Sequence, residues 1–421
     1  MSLLIRSALI VDPLSPYHGE IKNVFISNGK IEAISDAIVD ADELVQSEKV
    51  ILTPGWMDFR AFLGEPGYEH VETLESGTKA AAAGGFTALA CMPNTQPVIQ
   101  SKETILALKS NNHQRVTSLY PMGALTQDTA GKELTEILDL NAVGTTVFGD
   151  GYKPIANPTL LVKALQYNQL ANNLTVDFPL DEKLSEGCQV HESKYSTING
   201  LKATPSFHET IRINRNIEIL RYTGGRLHLS NISTKEGIAL IREAKKEGLQ
   251  LSCDVAVSHL AFNESKLTHF DTNAKVNPPL RSIEDQKALW QALEDGTIDV
   301  IATNHLPLDE ECKKLEFDLA DFGMNTLETL LPMLLQAQQK FSWDSMYRAL
   351  VEMPRKLSGI EIPSIKEGEK ADLTAFDPTK KWKYNAKSSF SLSKNSPLFG
   401  QEIEGKVLAT VNDKNKYIAN V

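Results

Sequence analysis

The sequence predicts an α/β protein in which a (β/α)8 barrel of the TIM type is joined to a composite β-sandwich module made from the two chain ends. Three observations carry that expectation. Short β-type runs separated by turns occupy both ends of the chain, apolar runs followed by helix-like stretches fill the middle, and the texture changes near Pro54 and again near Ile365. The chain therefore divides into residues 1–52, 53–365 and 366–421, with the outer two segments forming one module and the middle one the barrel.

In the first segment, "LLIRSALIVD", "NVFISN" and "KIEAIS" read as antiparallel strands, the last two separated by a Gly-Lys turn. Beyond Pro54 strands alternate with helices. "GFTALACMPN" precedes "SKETILALKSNN", and "VTSLYPMGAL" precedes the helix-like "GKELTEILDL". The pattern continues through "GTTVFGDG", "LTVDFP", "RLHLSNIS" with "TKEGIALIREAKKEG", "LQLSCDVAV", and "TIDVIATNH" after "SIEDQKALWQALEDG". Seven or eight such units over about 300 residues suit a barrel, which needs roughly 250. Residues 306–322, charged and without a clear period, follow a strand end, where either a lid over the mouth or a plain surface loop would lie. After Ile365, "ADLTAFDP" and "GKVLATVNDKNKYIAN" return to β-type runs with Asp, Asn and Gly at the turns.

Composition narrows the partners. With 43 basic against 54 acidic residues the net charge is -11, which disfavours binding to a phosphate backbone, so no nucleic acid is expected. The one basic run, Lys380, Lys381 and Lys383 around Trp382, reads as a solvated loop or strand edge. The opening "MSLLIRSALIVDPLSP" carries Arg6 and Asp12 and no small-residue cleavage site, so neither a signal peptide nor a membrane span is expected, and the expected location is cytoplasmic. Cys91, Cys188, Cys253 and Cys312 are far apart with no C-x-x-C pair, which fits reduced thiols.

A parallel barrel places its chemistry at the C-terminal ends of its strands. Here those ends read "DFRAF", "CMPNT", "FGDG", "VDFP", "LSNIST", "AVSHL" and "ATNHLP". Together with "PGWMD", "EPGYEHVETLESGTKAAAAGGFTALACMPNTQPVI", "KVNPPLR", "GMNTLETLLP" and "SPLFGQEIEGKV", the series resembles the cyclic amidohydrolases, specifically bacterial dihydroorotases, through nearly the whole chain. The resemblance implies hydrolysis or closure of a dihydropyrimidine ring by zinc-activated water, zinc lowering the pKa of that water to about 7.

The residues that would hold the zinc depart from the family pattern. Where the family's first strand ends Asp-x-His-x-His, this chain has Arg60 and Phe62. A guanidinium stays protonated and a phenyl ring has no donor atom, so neither holds zinc. The family's Asp-Asp-Gly becomes Gly149-Asp150-Gly151, keeping one carboxylate. Its next histidine aligns with Phe178, allowing one residue of slippage; the His of "HVST" is Asn231; and the Asp of "TDHAPH", ligand and proton-transfer base in the family, is Asn304. One of the six positions retains a usual ligand type, so no metal, no cofactor and no catalytic residue is expected. His228, three residues before Asn231, is expected to face away and pack in the core. A single metal held by Asp150, His259 and His305 stays conceivable.

The substrate shell is altered too. Dihydroorotases follow His-x-His with Leu-Arg, suited to a substrate carboxylate, and here the run is Phe62-Leu63-Gly64. Asn94 and Asn277 match family residues that contact the ring or its carboxylate, although Asn94 also suits a tight Met-Pro-Asn-Thr turn. Losing a dication would leave Asp150 uncompensated, so Arg60 is expected to pair with it while Phe62 and Phe178 fill volume. The alternative sends Arg60 to solvent and leaves Asp150 capping its turn. Three functions follow: a catalytically silent homologue, homo-oligomeric and assembling with or regulating aspartate transcarbamoylase, as the resemblance implies for members lacking the metal site; an active cyclic-amide hydrolase with an atypical or mononuclear site; or a small-molecule sensor.

Overall fold

The β-rich ends of the chain meet in one sheet. A computed structural model describes residues 2–337 and 341–420. The eight-stranded sheet runs in the order Asn415–Ile418, Glu402–Asn412, Asp372–Lys383, Val50–Pro54, Ser2–Ile10, Ile21–Ser27 and Lys30–Ser35, with Glu43–Val45 also paired to Ser2–Ile10. Val50–Pro54 is the seam, parallel to Ser2–Ile10 on one side and antiparallel to Asp372–Lys383 on the other. Strand alternation turns Leu3, Ile5, Ile10, Leu52, Leu373 and Val411 into one core distinct from that of the barrel. Asp12 adds a polar clasp between the ends, accepting from the Ile365 N–H at 2.7 Å and the Ser364 hydroxyl at 2.9 Å.

Eight parallel strands build the barrel: β1 (Trp56–Ala61), β2 (Phe86–Cys91), β3 (Ser118–Pro121), β4 (Val147–Gly149), β5 (Leu174–Asp177), β6 (Arg226–Leu229), β7 (Leu251–Ala256) and β8 (Val300–Ala302). Ladders join β1 to β3 and β4 to β8. Two single bridges close the ring, Gly123 to Phe148 between the β3 end and β4, and Ala61 to His305 between β1 and the β8 end. The interior is packed rather than hollow: Phe59, Met122, Val147, Val176 and Val300, drawn from around the ring, form one cluster. Helices follow most strands and begin at side-chain caps, among them Thr73 before Leu74–Ala83, Asn157 before Pro158–Gln169, Thr234 before Lys235–Lys246 and Ser282 before Ile283–Glu294.

One expected helix is mostly absent. "GKELTEILDL" gives only the turn-and-a-half Ile137–Asn141. Thr135 instead donates to the Ala124 carbonyl at 2.6 Å, and Asp150 holds the backbone of Leu125 and Thr126, so the loop after β3 is tied down by tertiary contacts that override helix propensity. The basic run lies on a sheet strand, where Lys381 stands opposite Glu404 and the Trp382 indole donates to the Gly405 carbonyl at 2.8 Å. All four cysteines are free, Cys91 and Cys253 in the core. Among the described residues no helix is long and apolar enough to cross a membrane.

Candidate ligand site at the barrel mouth

β1 delivers Asp58 and Arg60 to the mouth, and Phe62 follows directly after its end. Arg60 is 1% exposed and reaches across the barrel, its Nε donating to Asn304 Oδ1 and its Nη1 to Ser230 Oγ, both at 3.0 Å. The guanidinium carbon lies 5.5 Å from the centre of the Phe178 ring, and Nη2 has no hydrogen-bond partner among the described residues. Burial pulls its pKa down, while the charges of Asp254 and Asp58 oppose that shift. Asp58 accepts from the Thr303 N–H at 2.8 Å and hydroxyl at 2.5 Å, yet burial still pushes it up to about 7.

The expected pairing of Arg60 with Asp150 does not form. Asp150 turns toward the loop after β3 and accepts from the Leu125 N–H at 3.0 Å, the Thr126 N–H at 2.9 Å and the Thr126 hydroxyl at 2.5 Å. Three donors satisfy the carboxylate without a cation, and its pKa rises to about 6 because burial outweighs them. Nor does Arg60 reach solvent; neutral acceptors just past the ends of β6 and β8 hold it inside.

Asn231 and Asn304 both adopt left-handed backbone, with φ of 56° and 49°, a conformation asparagine tolerates better than most residues. The Asn231 N–H donates to Asp254 Oδ1 at 2.7 Å, while both atoms of its buried side-chain amide lack partners. His228 is packed in the core, as expected, but it faces the barrel interior rather than away from it. Its ring sits 4.8 Å from that of Phe59, Nδ1 meets Ser252 Oγ at 2.8 Å and Nε2 meets Asp254 Oδ2 at 2.9 Å. The alternation rule fails because β6 ends at Leu229, and the left-handed turn at Asn231 resets side-chain direction.

The conceivable trio of Asp150, His259 and His305 is not brought together. His259 Nε2 lies 3.1 Å from the Pro278 carbonyl, and burial lowers its pKa to about 4. His305 Nδ1 accepts from the Thr326 N–H at 3.2 Å, leaving Nε2 at 3.7 Å from Glu72. Among the described residues no group of three or more His, Cys, Asp or Glu is placed to hold a metal ion.

Asn94 takes its structural role. Its amide donates to the Asp150 carbonyl at 3.0 Å and accepts from the Tyr152 N–H at 3.3 Å, and a Cβ on Gly151, at φ +63°, would collide with it. Asn277, by contrast, lines a 530 Å3 cavity over the mouth together with Phe62, Phe178 and Asn304. Leu306, Asp309 and Asp321 line it too, so the 306–322 segment forms one wall. Gly64 explains the missing arginine: at φ +73° a Cβ there would lie 2.7 Å from the Tyr68 carbonyl oxygen, and the turn at residues 64–72 fills the space a side chain would need. Asp58, Asp254, Tyr68 and Tyr152 escaped the sequence reading. Asp58 and Tyr68 stand inside the quoted "PGWMD" and "EPGYEH", but only the fold shows that they face the mouth.

A (β/α)8 barrel with an accompanying β-module, its candidate site at the C-terminal ends of the strands, is the class these features define. The L-hydantoinase (dihydropyrimidinase) of Arthrobacter aurescens superposes with a TM-score of 0.84 at 23% identity, covering 98% of this chain and 95% of that one. The dihydropyrimidinase of Brevibacillus agri gives 0.78 at 20% identity, covering 100% and 95%. In sequence, the dihydroorotase of Pelotomaculum thermopropionicum is 37% identical over 98% of this chain and 97% of its own, and that of Syntrophus aciditrophicus 34% over 98% of each. A family model described as Dihydro-orotase-like matches residues 48–237. The chain belongs to the dihydroorotase family.

Proposed function

We propose that this family member has exchanged metal-dependent ring hydrolysis for a structural role, as an assembly or regulatory partner of aspartate transcarbamoylase. The observation that carries the reading is Arg60, a fixed cation held by Asn304 and Ser230 at the centre of the mouth. Zinc is bound by imidazole nitrogen, thiolate sulfur or carboxylate oxygen. Of Arg60, Phe62, Asp150, Phe178, Asn231 and Asn304 only Asp150 offers such an atom, and its carboxylate is taken up by Leu125 and Thr126. The residues present do not fit the metal. The choice of partner rests on the family resemblance alone, as does homo-oligomerisation.

A second reading, an active dihydroorotase with an atypical site, is favoured by the full-length similarity to relatives named dihydroorotase. Zinc content and turnover of dihydroorotate and carbamoyl aspartate, measured in zinc-replete buffer, separate the two. The first reading expects neither bound zinc nor turnover; one zinc or more per chain with turnover above about 1 s⁻¹ supports the second. Partnership is tested by deleting the chain: the host's aspartate transcarbamoylase should then fail to assemble, and normal assembly would remove that part of the proposal.

A further inference from the structure

We infer that the mouth cavity binds a small organic cation, an alkylated ammonium group on an apolar body. The 530 Å3 cavity is walled largely by aromatic and aliphatic side chains. Phe62 lies between two tyrosines, its ring centre 5.9 Å from that of Tyr68 at an interplanar angle of 59° and 6.4 Å from that of Tyr152 at 80°. Those tilts make the three rings adjoining walls rather than a stack. Ring faces arranged this way attract an ammonium group through their quadrupoles and repel a carboxylate.

The charges point the same way. Asp309 and Asp321 line the cavity, His70 lies 3.5 Å from Asp309, and among the described residues no lysine or arginine lines it. The two nearby lysines are committed elsewhere, Lys275 Nζ donating to the Phe317 carbonyl at 2.7 Å and Lys313 Nζ to the Asp321 carbonyl at 2.6 Å, while Arg60 is not among the lining residues and has its charge offset by Asp58 and Asp254. A ligand carboxylate would enter walls of its own sign, where the imidazole of His70 is already taken up by Asp309 at 3.5 Å. An ammonium group would meet aromatic walls, the Asp321 carboxylate and an Asp309 shared with His70, while the Asn277 amide and the Asn304 amide nitrogen line the ligand's polar end.

This inference rests on the metal-free reading of the mouth, because a divalent ion there would repel a cation. The test is calorimetric titration of the full chain with choline, with choline's uncharged tert-butyl isostere, and with dihydroorotate. Choline should bind at least about tenfold more tightly than the other two. Tyr152→Leu, which keeps apolar bulk at a part-exposed position, should weaken choline about tenfold and leave the isostere unchanged. Equal binding of choline and isostere, tighter binding of dihydroorotate, no choline binding at millimolar concentration, or unaltered choline affinity in both Tyr68→Leu and Tyr152→Leu would each overturn it. Zinc measured on the same sample tells the failures apart. Stoichiometric zinc without choline binding defeats both readings, whereas a zinc-free protein that ignores the ammonium charge defeats this one alone.

Discussion

Arg60 is a buried cation with no carboxylate at ion-pairing distance among the described residues, stabilised by neutral acceptors and by the field of Asp58 and Asp254. Replacing it with methionine strands Asn304 Oδ1 and leaves those carboxylates uncompensated. Arg60→Met should therefore lower the unfolding free energy by about 3 kcal/mol in urea titrations; a change below about 0.5 kcal/mol would mean that the guanidinium is solvated. Asp58 supplies a pH signature. Burial holds it near 7 in the folded protein, against about 4 in the unfolded chain, so the folded state keeps a proton that the unfolded state has released. Its contribution to stability is complete below about pH 4 and is lost as pH rises through about 7. Asp58→Asn should flatten the fall in stability between about pH 5 and pH 8 by about 2 kcal/mol, and profiles that run parallel to the parent's would contradict the assignment. At this scale the sequence disclosed which donor atoms stand at the family's ligand positions but not which way each side chain turns. That Asp150 faces the loop after β3 depends on contacts with Leu125 and Thr126, which no local pattern encodes.

The 306–322 segment behaves as a wall of the mouth because two buried lysines pin it from beneath. Lys275 Nζ donates to the Phe317 carbonyl at 2.7 Å and also to Ala320, between the rings of Phe317 and Phe322. Lys313 Nζ reaches the carbonyls of Thr272 at 2.8 Å and Asp321 at 2.6 Å. Lys275→Met should leave the barrel intact and raise amide hydrogen exchange across 314–322, while unchanged protection there would show that the segment is held by other contacts. Periodicity disclosed β2 to β8, each falling inside a run read from the sequence, because buried parallel strands are continuously apolar and bounded by turn residues, whereas β1 was marked only by its end, "DFRAF". It overestimated the helix after β3, where tertiary hydrogen bonds took the backbone, and it misdirected His228, where strand geometry stops at Leu229, two residues short of the Asn231 that the alternation argument needed.

The whole molecule is closed on itself by strands contributed from opposite ends, and that closure was legible from the matching β texture before and after the barrel. The cavity was not. Tyr68, Tyr152 and the 306–322 wall are distant in sequence and converge only once the ring has closed, so the character of the mouth is a property of the fold. Two inheritances coexist here: a full-length dihydroorotase framework, seen in the 37% identity to the Pelotomaculum thermopropionicum relative, and a mouth whose polar atoms are arranged around a guanidinium. The most direct measurement of which one governs is anomalous diffraction at the zinc edge from crystals grown with excess zinc. The account predicts no peak near Arg60 and Asp150 and an unmoved Arg60–Asn304 hydrogen bond; a strong peak there, with Arg60 swung aside and Asp150 released from Thr126, would contradict it.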